Sequence, residues 1–87
     1  MKPEKDDIQG LLLWDTPVYV RIGSGLRETI GGPEEALSYL LTRWPAERGG
    51  CYERAMIECK RTLEQYGSPA RAREAFIAAA DEGRILA

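Results

Sequence analysis

Between positions 18 and 30 the chain alternates at strand period. Val18, Val20 and Ile22 are separated by Tyr19, Arg21 and Gly23, and Leu26, Glu28 and Ile30 by Arg27 and Thr29. Gly23-Ser24-Gly25 lies between the two runs, so the stretch reads as a β-hairpin. Parity sets its register, because residues facing each other across an antiparallel pair share one face of the sheet. An odd, three-residue loop pairs Ile22 with Leu26 and Val18 with Ile30, collecting the apolar residues on one face; an even loop splits them. Gly25 is the residue expected to take the left-handed conformation such a loop needs.

Three helices follow, each with start and stop signals. Pro33 suits a first helical position and Glu34-Glu35 favour a helix N-terminus, while Pro45 disfavours continuation beyond Trp44. The apolar arc of this helix contains Ala36, Leu37, Leu40, Leu41 and Trp44. A longer helix spans 51–66, with Cys51, Tyr52, Ala55, Met56, Cys59, Leu63 and Tyr66 on one arc and Gly67 as its C-terminal cap. Ser68-Pro69 opens the last helix, with Ala72, Ala75, Phe76, Ala79 and Ala80 as its stripe, Ile77 at the edge and Gly83 at its end. Arg84-Ile85-Leu86-Ala87 is apolar enough to add a short third strand. The expected fold class is α+β: a β-hairpin, extended by that third strand if it forms, packed against three α-helices. Residues 1–10, charged and poor in large apolar groups, read as a disordered tail before a single domain over 11–87.

The order of these signals is specific. Pro17-Val18-Tyr19-Val20, Gly32-Pro33-Glu34-Glu35-Ala36-Leu37, Trp44-Pro45, Gly50-Cys51-Tyr52 with Ala55 and Cys59, and Ala70-Arg71-Ala72-Arg73-Glu74-Ala75-Phe76-Ile77 follow one another along the chain. Over roughly 14–83 the chain resembles a family of small proteins from soil and plant-associated bacteria, the domain of unknown function numbered 982. The resemblance implies a fold and a bacterial compartment. It brings no activity, cofactor or catalytic residue with it.

Composition narrows the chemistry further. The 87 residues contain no histidine, which removes Ser-His and Cys-His nucleophile pairs, His-ligated zinc and the usual neutral-pH proton shuttle. Cys51 and Cys59 lie eight positions apart on one expected helix. At 1.5 Å per residue their Cα atoms stand roughly 12 Å apart, beyond the reach of a disulfide. Only Cys51, at the helix start, has a feature that lowers a thiol pKa, and its place on the apolar arc favours packing. The glycine clusters match neither a dinucleotide nor a phosphate loop, and Asp6-Asp7, Glu34-Glu35 and Asp81-Glu82 are adjacent pairs rather than carboxylates facing across a cleft. The expectation is a non-enzyme with no cofactor and no metal. No apolar run approaches the roughly 20 residues of a membrane span, so the expected location is the cytoplasm, without membrane contact.

Binding therefore becomes the question. The formal charge of −2 divides unevenly, with −3 over 1–42, +3 over 43–73 and −2 over 74–87. The middle segment suggests nucleic acid as the alternative partner, but Glu47, Glu53, Glu58 and Glu64 interleave with its arginines, as on a solvated helix face. Arg73 falls inside the apolar stripe of the last helix and requires a partner. Glu28, the one charged residue on the apolar hairpin face, is the expected carboxylate; the functional alternative is a groove in which Arg73 receives an anionic ligand or a partner's carboxylate. Leu11 to Trp14, Ile57 and Ile85-Leu86 are surplus to a core this small, although Leu11 to Trp14 can also fold back along the hairpin. The favoured function is a protein-interaction or regulatory module, acting as a homodimer or with another protein, with Arg73, Glu28, Trp14 and Ile57 as candidate site residues.

Overall fold

The computed structural model describes residues 13–45, 48–65 and 67–87. The tail read at 1–10 lies outside the described residues, as do Leu11, Leu12, Glu47 and Tyr66. The architecture is α+β: strands β1 (Val18–Val20) and β2 (Glu28–Ile30), then helices α1 (Pro33–Thr42), α2 (Gly50–Leu63) and α3 (Pro69–Glu82). The two strands form one antiparallel sheet, and α2 packs along α3 in the most extensive contact between elements.

The hairpin register is Val18↔Ile30, Tyr19↔Thr29 and Val20↔Glu28, the pairing that parity demands. The ladder is shorter than the alternation suggests. Gly25 donates its N–H to the Ile22 carbonyl at 2.9 Å, closing a tight turn that removes Ile22 and Leu26 from pairing. Leu26 is left 87% exposed. The left-handed residue is Gly23 (φ 58°) rather than Gly25, because this turn requires positive φ at its first central position.

A third strand does not form at the C-terminus. Arg84 turns the chain in the left-handed region (φ 61°), and the residues after it make a single antiparallel bridge, Val20↔Leu86. Arg21 N–H donates to Ile85 O at 2.7 Å and Ala87 N–H to Tyr19 O at 2.9 Å on either side of that bridge. One bridge is enough to bury Ile85 against the core.

The helix starts follow the local signals and two of the ends do not. Pro33 and Pro69 occupy first-turn positions, and Ser68 caps α3 by accepting the Arg71 backbone N–H at 3.3 Å. At α1 the cap residue is Gly32, and Glu35 reaches back to accept the Gly31 N–H at 2.7 Å. α1 ends at Thr42, with Trp44 beyond it but buried. The buried stripe of α1 turns toward Tyr39 and leaves Leu41 55% exposed, because Trp44 packs edge-on against the Tyr39 ring, with centroids 6.3 Å apart. α2 stops at Leu63, three residues early: Gln65 takes the left-handed position (φ 70°), and Gly67 is needed for closeness rather than for φ. A Cβ at Gly67 would stand 3.1 Å from both Arg61 Cβ and the Thr62 nitrogen.

The core is assembled around Phe76, which is fully buried against Trp14 (6.2 Å) and Trp44 (6.0 Å). Trp44 also meets Tyr52 at 5.6 Å, and the Tyr52 hydroxyl donates to the buried Leu40 carbonyl at 2.7 Å, tying α2 to α1. The alanine stripe of α3 (Ala72, Ala75, Ala79, Ala80) is buried and lets its neighbours approach closely.

Candidate functional site

Arg73 does not meet Glu28. Its Nε donates to the main-chain carbonyl of Thr16 at 2.7 Å, joining the first turns of α3 to the segment that precedes β1. Glu28 is engaged by Arg43 at the C-terminal cap of α1 through a two-pronged pair, Nη1 to Oε1 at 2.8 Å and Nη2 to Oε2 at 2.7 Å. That fork raises the Arg43 pKa, and Arg43 also lies over the Tyr39 ring at 5.0 Å. Tyr39 is pushed up too, mainly by burial of its phenol and secondarily by the charge of Glu28. Glu28 is thus taken by Arg43, a partner that the pattern of apolar positions did not point to.

The 13–16 segment is itself held from two sides. Trp14 N–H donates to Gly31 O at 2.8 Å, and its ring packs on Phe76. Residues 13–16 therefore lie against the end of the hairpin without lengthening β1, while Leu11 and Leu12 of the stretch expected to fold back lie outside the described residues. Trp14 is buried, and its indole N–H has no acceptor among the described residues. Pro17 disfavours helical geometry at Thr16, and the chain bends at Asp15 and Thr16 before it enters β1.

Together these pieces wall a groove of about 370 Å³, lined by Leu13, Trp14, Asp15, Thr16, Pro69, Ala70 and Arg73. Its size is at the lower end of that of small-ligand sites. Leu13 is 57% exposed on the rim, and Asp15 shares the groove without ion-pairing to Arg73. The Thr16 bond uses only Nε, so both terminal nitrogens of Arg73 are without an acceptor among the described residues. Of the four candidate residues, the groove brings together Arg73 and Trp14. Glu28 sits with Arg43, and Ile57 is exposed on the outer face of α2, at helical spacing from Arg54 and Arg61. The sequence reading missed Leu13, Asp15 and Thr16 as companions of Arg73, and a main-chain carbonyl leaves no signal in a side-chain pattern.

A second charged surface lies along α2 and α3. Two shallow depressions of about 290 and 220 Å³ share Glu58 and Arg71, with Arg61 in one and Arg54 and Glu74 in the other. Both cysteines lie on α2 and are free. Cys59 is fully buried, and burial, aided by the nearby Glu58 charge, pushes its thiol up to about 12, so at neutral pH it is a protonated core thiol rather than a reactive thiolate. Among the described residues no three His, Cys, Asp or Glu side chains are grouped to hold a metal ion, and no helix is long and apolar enough to cross a membrane.

Residues 16–87 match the model of the family described as "Protein of unknown function (DUF982)". The chain belongs to the DUF982 family. It is also similar to the NMR structure of the Agrobacterium tumefaciens protein Atu1219, a structural-genomics target, at 31% identity and a TM-score of 0.72, covering 87% of this chain and 76% of that one. No curated protein matches the chain. The DUF982 match begins at Thr16, whose carbonyl holds Arg73, so Leu13, Trp14 and Asp15 on the outer wall of the groove precede the matched region.

Proposed function

We propose that this DUF982 chain is a non-catalytic protein-interaction module of a bacterial cytoplasm, and that its contact surface is the groove between the 13–16 segment and the start of α3. The observation that carries this reading is the juxtaposition of Leu13, 57% exposed, with a half-buried arginine whose terminal nitrogens have no acceptor among the described residues. Arginine is enriched at interface centres, where other charged residues are depleted. Two free thiols on one helix accord with a reducing compartment.

A photo-cross-linking residue in place of Ala70, installed in the native cell, tests this. The expected result is a discrete adduct that is absent when the same residue replaces Ser24 at the hairpin tip and lost with Leu13→Asp. An adduct of twice the 9.7 kDa chain identifies a second copy as the partner. Diffuse or identical patterns from both positions count against the groove.

The alternative, nucleic acid on the α2/α3 face, draws on Arg54, Arg61 and Arg71, none of which ion-pairs among the described residues. Glu58 and Glu74 lie among them and oppose a phosphate backbone. Retention on a nucleic-acid column that falls steeply with salt, and that Arg71→Glu abolishes, would favour this alternative.

A further inference from the structure

We infer that the groove recognises a carboxylate-bearing peptide segment of a partner protein, an acidic side chain beside an aliphatic one; this rests on the interaction reading above. Three features of the site each select one part of such a ligand. The first is the Arg73 guanidinium. Its Nε is held at 2.7 Å by the Thr16 carbonyl, which fixes the plane of the group and leaves its terminal nitrogens as donors in the groove wall. A planar, oriented fork matches a carboxylate better than it matches a neutral acceptor. The carboxylate that sequence pattern assigns to it, Glu28, is already held by both prongs of Arg43, so the charge of Arg73 is not satisfied from within the fold among the described residues.

The second feature is Asp15, an exposed carboxylate in the same groove that does not pair with Arg73. It repels a phosphate dianion, and it accepts from the N–H groups that a peptide carries and a fatty acid lacks. The third is the apolar boundary of Leu13, Pro69 and Ala70, which takes an aliphatic side chain next to the acidic one. Asp15 opposes every anion, a dianion more than a single carboxylate, and only a peptide offers N–H groups that its oxygens accept, so the two groups together favour a singly charged peptide carboxylate over phosphate or a fatty acid.

The test is a titration of the isotope-labelled protein with acetyl-Ala-Asp-Leu-Ala-amide, followed by NMR and compared with the isosteric Asn peptide and with inorganic phosphate. The Trp14 indole N–H and the backbone amides of Thr16, Ala70 and Arg73 are the reporters. Expected are saturable shifts at these positions with the Asp peptide and binding weaker by about tenfold or more with the Asn peptide. Arg73→Lys, checked for native circular dichroism, weakens the Asp peptide by a similar factor, since an ammonium lacks the fork and the Thr16 tether. Because the Asp/Asn comparison is made on the unaltered protein, it stands even if the variant folds poorly. Equal binding of the two peptides in the groove overturns carboxylate recognition while leaving a docking groove. Shifts with phosphate rather than peptide, or peptide shifts confined to Arg54, Arg61 and Arg71, also overturn it. Absence of any peptide shift at millimolar concentration overturns it as well, and the Ala70 cross-link, which needs no chosen peptide, then decides the broader reading separately.

Discussion

The Arg73 Nε and the Thr16 carbonyl stand 2.7 Å apart although 57 positions separate them in the chain. This bond makes one arginine do two things: it fastens the segment before the hairpin to α3, and it orients a guanidinium that lines a groove. Arg71, two residues earlier on the same helix, has an exposed side chain with no partner among the described residues, and its backbone N–H is engaged by the Ser68 cap.

Arg73→Ala should therefore lower stability by about 1 kcal/mol, the net worth of one hydrogen bond, and Arg71→Ala by less than about 0.5 kcal/mol. Urea denaturation midpoints at matched conditions make the comparison. Coincident midpoints would show that the Thr16 bond contributes nothing to folding.

Phe76→Ala should cost about 3–5 kcal/mol, because it opens a cavity beneath both Trp14 and Trp44, which pack on that ring at 6.2 and 6.0 Å. In a domain of this size that is a large share of the total stability. Loss of the cooperative thermal transition, or a strongly lowered midpoint with red-shifted tryptophan emission, is the expected result. A transition within a few degrees of the parent would contradict the placement of Phe76.

Cys59 titrates at about 12 in the folded chain against an ordinary value of 9.0, so folding holds its proton where the unfolded chain releases it. Between these two values the native state binds more protons, and stability falls as pH rises. Below pH 9 the effect is absent. The thiolate fraction at neutral pH is lower by roughly a thousandfold, so a thiol reagent should spare Cys59 in the native protein, react with Cys51 at a measurable rate, and count two thiols after denaturation. Stability that stays flat from pH 9 to 11, or equal native labelling of both cysteines, would refute the burial of Cys59.

Two glycines should answer oppositely to alanine. Gly67→Ala places a Cβ 3.1 Å from the Thr62 backbone nitrogen and should destabilise by about 1 kcal/mol or more. Gly50, at the start of α2, has open space around it, and Gly50→Ala should stabilise by roughly 0.4–1 kcal/mol by restricting the unfolded chain. Thermal melts of the two variants against the parent test both signs at once.

Much of this protein is decided within short stretches of chain. Alternation and parity set the hairpin register; Pro33 and Ser68-Pro69 set two helix starts, and the Ala72, Ala75, Phe76, Ala79, Ala80 stripe names the buried face of α3 residue by residue. Such features are local because a period, a fixed proline φ or a capping hydroxyl acts over a few bonds. What the tertiary structure alone decided are choices among equivalent partners far apart in sequence. Arg43 rather than Arg73 meets Glu28, Tyr39 rather than Leu41 turns inward to Trp44, and Trp14 and Ile85 find cover that composition left uncertain. The candidate groove belongs to the second kind. It depends on a main-chain carbonyl at Thr16 and a carboxylate at Asp15, brought to Arg73 only when Trp14 settles on Phe76, and no side-chain pattern along the chain records a backbone oxygen or the packing that aims it.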